Sequence, residues 1–304
     1  MGYKLVTYDA GKGQRAGIVS GEKLIDVAEA TGNVTYATTL GILGDWGKAA
    51  ATLAALALDT SATSSAFDWK TLRAPIALPG AIYCAGANYG DHVKEMAVRQ
   101  GREPEPDPHT LGLKPWHFIK SSHAVVGPNT AVPIPPASKQ MDWEVELAAV
   151  IGVKAKHLTP ENALRCVAGY TVANDLSARD LGWRPPMPQT SPFYSDWLAH
   201  KSFDGSCPLG PWIVPASDID DVQNLGIRLW VNGTLHQDSN TSQMIFTLVE
   251  QLVQISQRIT LYPGDLVLTG TPAGVGAGKG EFLKAGDSVE LWCERVGTLK
   301  HTMA

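Results

Sequence analysis

The chain has 304 residues, 44% hydrophobic and 18% charged, a balance that fits an ordinary globular protein and argues against a disordered one. Its net charge of -5, with no Lys/Arg cluster, argues against nucleic acid or an anionic membrane as the main partner. Four cysteines, Cys84, Cys166, Cys207 and Cys293, stand far apart without a Cys-x-x-Cys, which speaks against a thiolate zinc site and for a reducing compartment. No cationic stretch followed by an apolar one opens the chain, and the Ala-rich run Lys48 to Leu58 is too short to span a bilayer. No signal peptide is expected, and a cytoplasmic location is.

Residues 1–75 read as a small α/β accessory domain. Short strands at Tyr3-Lys-Leu-Val-Thr-Tyr and Arg15-Ala-Gly-Ile-Val-Ser surround Gly-rich turns, Gly21-Glu-Lys-Leu-Ile-Asp-Val reads as a turn and return strand, and a helix runs from about Gly44 to Leu58. Residues 59–66, rich in Ser, Thr and Ala, read as a linker. From about Leu72 onward short apolar strands alternate with Gly/Pro turns, so 76–304 is expected to be one larger, mainly β domain with crossing helices, α+β in class.

Within that domain, Asn88-Tyr-Gly-Asp-His92-Val-Lys-Glu95 follows a strand. Helical geometry from about Asp91 puts His92 and Glu95 on neighbouring positions of one face, either as a surface ion pair or as an imidazole oriented for proton transfer. In Asp142-Trp143-Glu144-Val145-Glu146-Leu147, strand periodicity sends Glu144 and Glu146 to the same face, at the entrance to an apolar run. That is either a solvated strand face or half of a site for a hard cation. A helix capped by Thr159 is expected up to Cys166, followed by a buried strand over 167–174. Asp175, at the end of that strand, either caps the next helix or supplies a third carboxylate. An all-oxygen set of three favours Mg²⁺, Mn²⁺ or Ca²⁺.

Arg179 and Lys201 are isolated cations in apolar or turn contexts. Asn232-Gly233 marks a hairpin, and a helix is expected over Thr241 to Ser256 from its apolar spacing. The run Thr269-Gly-Thr-Pro-Ala-Gly-Val-Gly-Ala-Gly-Lys-Gly misses both nucleotide-loop spacings, though a turn presenting backbone N–H groups to a small anion stays open. Two long loops, 97–114 and 182–199, are polar and Pro-rich in the first case and hold four aromatics in the second, Trp183, Phe193, Tyr194 and Trp197.

Taken in order, these segments resemble the fumarylacetoacetate hydrolase family over about residues 80–304. The resemblance is carried by Ala87-Asn-Tyr-x-x-His92-x-x-Glu95, Phe118-Ile-Lys120, Asp142-x-Glu144-x-Glu146-Leu-Ala, Gly169-Tyr-Thr-Val-Ala-Asn-Asp175-x-Ser-Ala-Arg-Asp180, Lys201-Ser-Phe-Asp, Asn240-Thr-Ser-x-Met-Ile and Thr269-Gly-Thr-Pro-Ala-Gly-Val-Gly. It implies a β-roll catalytic domain, a homodimer and an oxo-acid substrate. It implies Mg²⁺ or Mn²⁺ on Glu144, Glu146 and Asp175, a water-activating pair in His92 and Glu95, an active-site cation in Lys201, and substrate contacts from Lys120, Arg179 and Thr271. Ser121-Ser122 departs from the proline common after the lysine in relatives.

The expected reaction is hydrolysis of a C–C bond in a 2,4-dioxo acid (an acylpyruvate or fumarylacetoacetate-like compound). Decarboxylation of oxaloacetate, or isomerisation and decarboxylation of an unsaturated dioxo acid in aromatic catabolism, is the enzymatic alternative. A metal-stabilised binding scaffold is the non-enzymatic one.

Overall fold

A computed structural model describes residues 2–304. As expected, the chain is α+β and mainly β, built around a twelve-stranded sheet and a five-stranded sheet. At the centre of the larger sheet lie Cys207–Pro215, Val167–Asn174, Val145–Ile151 and Leu266–Leu268. The first two are paired antiparallel, as are Val145–Ile151 and each of its neighbours, while Leu266–Leu268 runs parallel to Ile82–Ala85. Every residue of Val145–Ile151 and Val167–Asn174 is buried, which explains why their sequences lose the polar alternation of a one-sided strand.

The N-terminal strands extend this same sheet. Lys4–Asp9 pairs with Gln14–Ser20 on one side and meets Cys207–Pro215 on the other, with Leu5 opposite Ile213. The stretch read as a linker ends in a short strand, Ser65–Ala66, on Lys23–Asp26. The helix Trp46–Leu58 lies over this end, with Ala49 and Leu53 fully buried.

The five-stranded sheet runs Thr234–Asn240, Gly226–Val231, Ser288–Cys293, Gly297–Met303 and Ala131–Val132. Its hairpin turns at Asn232 and Gly233, whose φ values of 50° and 79° are those of a two-residue turn. All four cysteines are free and buried. Among the described residues no helix is long and apolar enough to cross a membrane.

Two predicted helices are shorter than their sequences suggest. Over 159–166 only the 3₁₀ turn Ala163–Cys166 forms. The Asn162 side chain takes the Thr159 N–H at 2.8 Å, and the Cys166 carbonyl is claimed by the N–H groups of Gly152 and Val153. Over 241–256 a 3₁₀ turn at Thr241–Gln243 gives way to extended backbone, and the α-helix starts at Leu248. Asn88 causes the break, for its carbonyl accepts from Ile245 N–H at 2.7 Å and its Oδ1 from Phe246 N–H at 2.9 Å. Tertiary bonds to the segment before the His92 helix thus outweigh helical periodicity.

The helix Leu248–Arg258 opens on a capping box, with Thr247 Oγ1 accepting from Glu250 N–H and the Glu250 carboxylate accepting from Thr247 N–H. Thr247→Ala is expected to lower stability by about 1 kcal/mol; urea unfolding measures it, and an unchanged midpoint would contradict the capping role.

Candidate metal centre and proton-transfer pair

The site is built where the ladder of the central sheet breaks. Met141–Asp142 pairs with Ser177–Ala178, whereas Val145–Ile151 pairs with Val167–Asn174. Glu144 lies between these two ladders. Its carbonyl accepts from Asp175 N–H at 2.9 Å, which joins the two carboxylate-bearing residues by a backbone bond, and its N–H donates to Asn174 Oδ1 at 2.9 Å. Glu144, Glu146 and Asp175 are all buried, and one carboxylate oxygen from each lies within 4.8 Å of the others. The same-face expectation for the glutamates is met, and Asp175 joins them.

Three cations face this cluster. Lys201 Nζ donates to Glu144 Oε2 at 2.8 Å and to Asp175 Oδ2 at 2.7 Å. Lys120, with no exposed surface, donates to Asp175 Oδ1 at 2.6 Å and also to the Lys201 carbonyl. Arg179 spans Asp142, at 2.9 Å from Oδ2, and Glu144. Asp142 is further held by the N–H groups of Gly276 and Ala277. Four carboxylates therefore meet three cations, which leaves one negative charge over.

By this formal count, Glu146 is the carboxylate left without a cation, and holding its proton is what avoids the excess charge. Its Oε2 accepts from Gly270 N–H at 2.6 Å, and among the described residues it has no cationic partner. Burial, then the charges of Asp175 and Glu144, push its carboxyl well above the usual range. Glu144 goes the other way, because the charges of Lys201 and Arg179 outweigh its own desolvation. For Lys201, desolvation is outweighed by the attraction of Asp175 and Glu144, so its ammonium is held above its usual value. Three converging oxygen donors, one of them buried without charge compensation, fit a hard divalent ion and offer no sulfur or imidazole donor to a softer one.

His92 and Glu95 lie on the helix Gly90–Arg99, with His92 Nδ1 3.7 Å from Glu95 Oε2. That nitrogen is buried without a hydrogen-bond partner among the described residues. The Glu95 carboxylate accepts from Gly274 N–H at 3.0 Å. Burial works to raise its pKa, but the facing imidazole and the Gly274 N–H bring it below the ordinary value. Glu95 and Glu146 are both held by N–H groups of the run Thr269 to Gly280, which ties the pair to the triad.

The Gly-rich run is what joins them. Its N–H groups do not form an open anion cradle. They hold the carboxylates of Glu146, Glu95 and Asp142 through Gly270, Gly274, Gly276 and Ala277. Gly274 requires glycine, since its φ is +98° and a Cβ there would lie 2.0 Å from the His236 carbonyl oxygen.

Thr271 lies in this loop, but its hydroxyl donates to the Val145 carbonyl at 2.9 Å and accepts from Gln237 Nε2 at 2.9 Å. Gln237 also accepts from Val145 N–H at 3.0 Å. Asn174 and Gln237 thus hold two successive N–H groups of the ligand-bearing segment. Neither stands out in the sequence, because each acts on a backbone group far away in the chain. Only the polar end of an apolar strand marks Asn174.

The aromatic loop packs beside Lys201. Trp197 meets Phe118 and Trp116 at centroid distances of 5.1 and 5.7 Å, Trp183 stacks on Tyr194 at 5.4 Å, and Lys201 Nζ is 5.3 Å from the centre of the Phe118 ring.

Lys120→Met would leave Asp175 with one cation fewer in a dry environment, and a loss of about 3–5 kcal/mol is expected in urea unfolding. Glu146→Gln should have the opposite sign in metal-free protein at pH 7. The raised carboxyl makes Glu146 destabilising once pH climbs past its unfolded value, because the unfolded chain ionises first, and an amide, which does not titrate, removes that penalty while still accepting from Gly270. The same variant should lose the thermal shift that Mn²⁺ gives the wild type. A metal-free Glu146→Gln protein less stable than wild type would contradict the charge count.

Residues 81–304 match the family model for the fumarylacetoacetate (FAA) hydrolase C-terminal domain. The mitochondrial oxaloacetate tautomerase Fahd2a of Rattus norvegicus is 42% identical over 231 residues, 75% of this chain and 68% of that protein. The 2,4-didehydro-3-deoxy-L-rhamnonate hydrolase of a Sphingomonas strain is 39% identical over 233 residues, 76% of this chain and 75% of its own. A solved structure of a fumarylacetoacetate hydrolase from Exiguobacterium antarcticum superposes with a TM-score of 0.76 at 30% identity, over 99% of both chains. With its carboxylate triad and mixed sheets in place, the chain belongs to the enzymatic fumarylacetoacetate hydrolase family.

Proposed function

We propose that the chain is a metal-dependent hydrolase that cleaves a C–C bond of a 2,4-dioxo acid, giving a pyruvate-type product and a carboxylic acid. The observation that carries this reading is the single Gly-rich loop that holds Glu146 of the triad and Glu95 of the His92 pair at once. A proton-transfer group is thereby fixed next to a buried oxygen-donor site. Mg²⁺ or Mn²⁺ at Glu144, Glu146 and Asp175 would supply Lewis-acid polarisation of a chelating 2-oxo acid.

The remaining work falls to side chains. His92, with Nδ1 turned to Glu95, takes a proton from water at Nε2, and the Glu95 carboxylate stabilises the imidazolium so formed. The hydroxide equivalent adds to the C4 carbonyl. The C3–C4 bond then breaks, its electron pair passes to the pyruvate-type fragment, and a proton is returned at C3. Lys201 offers its ammonium to the negative charge that develops. Lys120, Arg179 and Thr271 serve by holding Asp175, Glu144 and the Val145 carbonyl in place. The aromatic cluster of Trp116, Phe118 and Trp197 favours an apolar or aromatic acyl group.

A second reading is favoured by the 42% identity to an oxaloacetate tautomerase. Keto–enol exchange or decarboxylation of oxaloacetate would use the same triad, with His92 carrying a proton to or from carbon and no attacking water.

Turnover over acylpyruvates of graded acyl size, with oxaloacetate included, separates the two. Equimolar carboxylic acid and pyruvate are expected; CO₂ or enol decay without a second acid would sink the hydrolase reading. His92→Ala should lower kcat by about 10²–10⁴ with Mn²⁺ affinity kept, and normal turnover in that variant would remove His92 from the chemistry.

A further inference from the structure

The ligand-bearing segment is held from outside the central sheet. Glu144 N–H is a donor under any assignment, so the atom of Asn174 facing it at 2.9 Å is the acceptor Oδ1. The other end of that amide, Nδ2, must then donate, and it lies 2.9 Å from His301 Nε2. For this contact to be a hydrogen bond, His301 Nε2 must be unprotonated and the ring proton must sit on Nδ1. His301 is buried on Gly297–Met303 of the five-stranded sheet, and burial pulls it down to about 4, so it is neutral at physiological pH. Among the described residues its Nδ1 has no hydrogen-bond partner, so the side-chain bonding of the ring rests on the Nε2 contact with Asn174.

We infer that His301 is a positioning residue for the metal centre. Its Nε2 lone pair fixes the Asn174 amide so that Oδ1 faces Glu144, and the amide in turn fixes the Glu144 backbone, whose carbonyl is already bound to Asp175 N–H. The C-terminal strand thereby sets where two of the three carboxylates stand. With the ring turned, tautomerised or replaced by an apolar group, Asn174 has no reason to keep its oxygen toward Glu144. The role of the carboxylates rests on the metal reading above; the chain of hydrogen bonds does not.

The experiment compares Mn²⁺ binding, followed by the EPR signal of the free ion, in wild type, His301→Phe and His301→Gln. The Phe variant keeps the ring and loses the acceptor, whereas the Gln variant keeps an acceptor oxygen. His301→Phe is expected to weaken Mn²⁺ binding by about 10-fold or more, and His301→Gln to restore most of it. Wild-type affinity in the Phe variant, or an equal loss in both, overturns the inference. Should His301→Phe fail to fold, ¹⁵N NMR of histidine-labelled wild type decides. The Nδ1–H tautomer is expected for His301, and the Nε2–H tautomer overturns the inference. A wild type that binds no Mn²⁺ removes the metal reading, and the tautomer still settles the hydrogen-bond chain.

Discussion

Glu146 is a buried carboxylate that meets no cation among the described residues, and the rest of the site is arranged around that imbalance. Its neighbours are matched: Asp175 has two lysines, while Glu144 has Lys201 and Arg179. Unit charges about 4 Å apart interact by about 4 kcal/mol even at an effective dielectric of 20, so a lone excess charge among packed ionic groups is not a minor term. On the proposed function, a divalent ion would turn the formal charge of the cluster from one negative over to one positive over, and such a centre would attract an anionic substrate with two adjacent oxygen donors, as a 2-oxo acid has.

Three structural units converge to hold the cluster. The central sheet carries Glu146 on Val145–Ile151 and sets Glu144 and Asp175 beside the paired ends of that strand and of Val167–Asn174. The Gly-rich loop spends its N–H groups on Glu146, Glu95 and Asp142, coupling the proton-transfer helix to the triad. The five-stranded sheet contributes Gln237, which grips the ligand segment by its Val145 N–H, and His301, which lies behind Asn174. Positional precision here comes from side-chain amides acting on backbone groups where the regular ladder is interrupted.

Much of this was legible in the sequence because it depends on local periodicity. Period-two spacing put Glu144 and Glu146 on one face, i,i+3 spacing put His92 beside Glu95, and Asn232-Gly233 fixed a hairpin. What stayed hidden depends on partners distant in the chain. The helix expected from Thr241 starts only at Leu248 because Asn88 pairs with Ile245 and Phe246. The partners of the Gly-rich N–H groups, and the parts played by Asn174 and Gln237, could not be read from spacing. Nor does the residue set fix the reaction, since relatives that share the fold include a tautomerase and hydrolases.

The central claim is that the three buried carboxylates form one divalent-metal centre. Anomalous diffraction from crystals grown with Mn²⁺ tests it most directly. The account predicts a single strong manganese peak bonded to oxygens of Glu144, Glu146 and Asp175. Manganese bound elsewhere, with Lys201 still bridging Glu144 and Asp175 and no peak at Glu146, would contradict it.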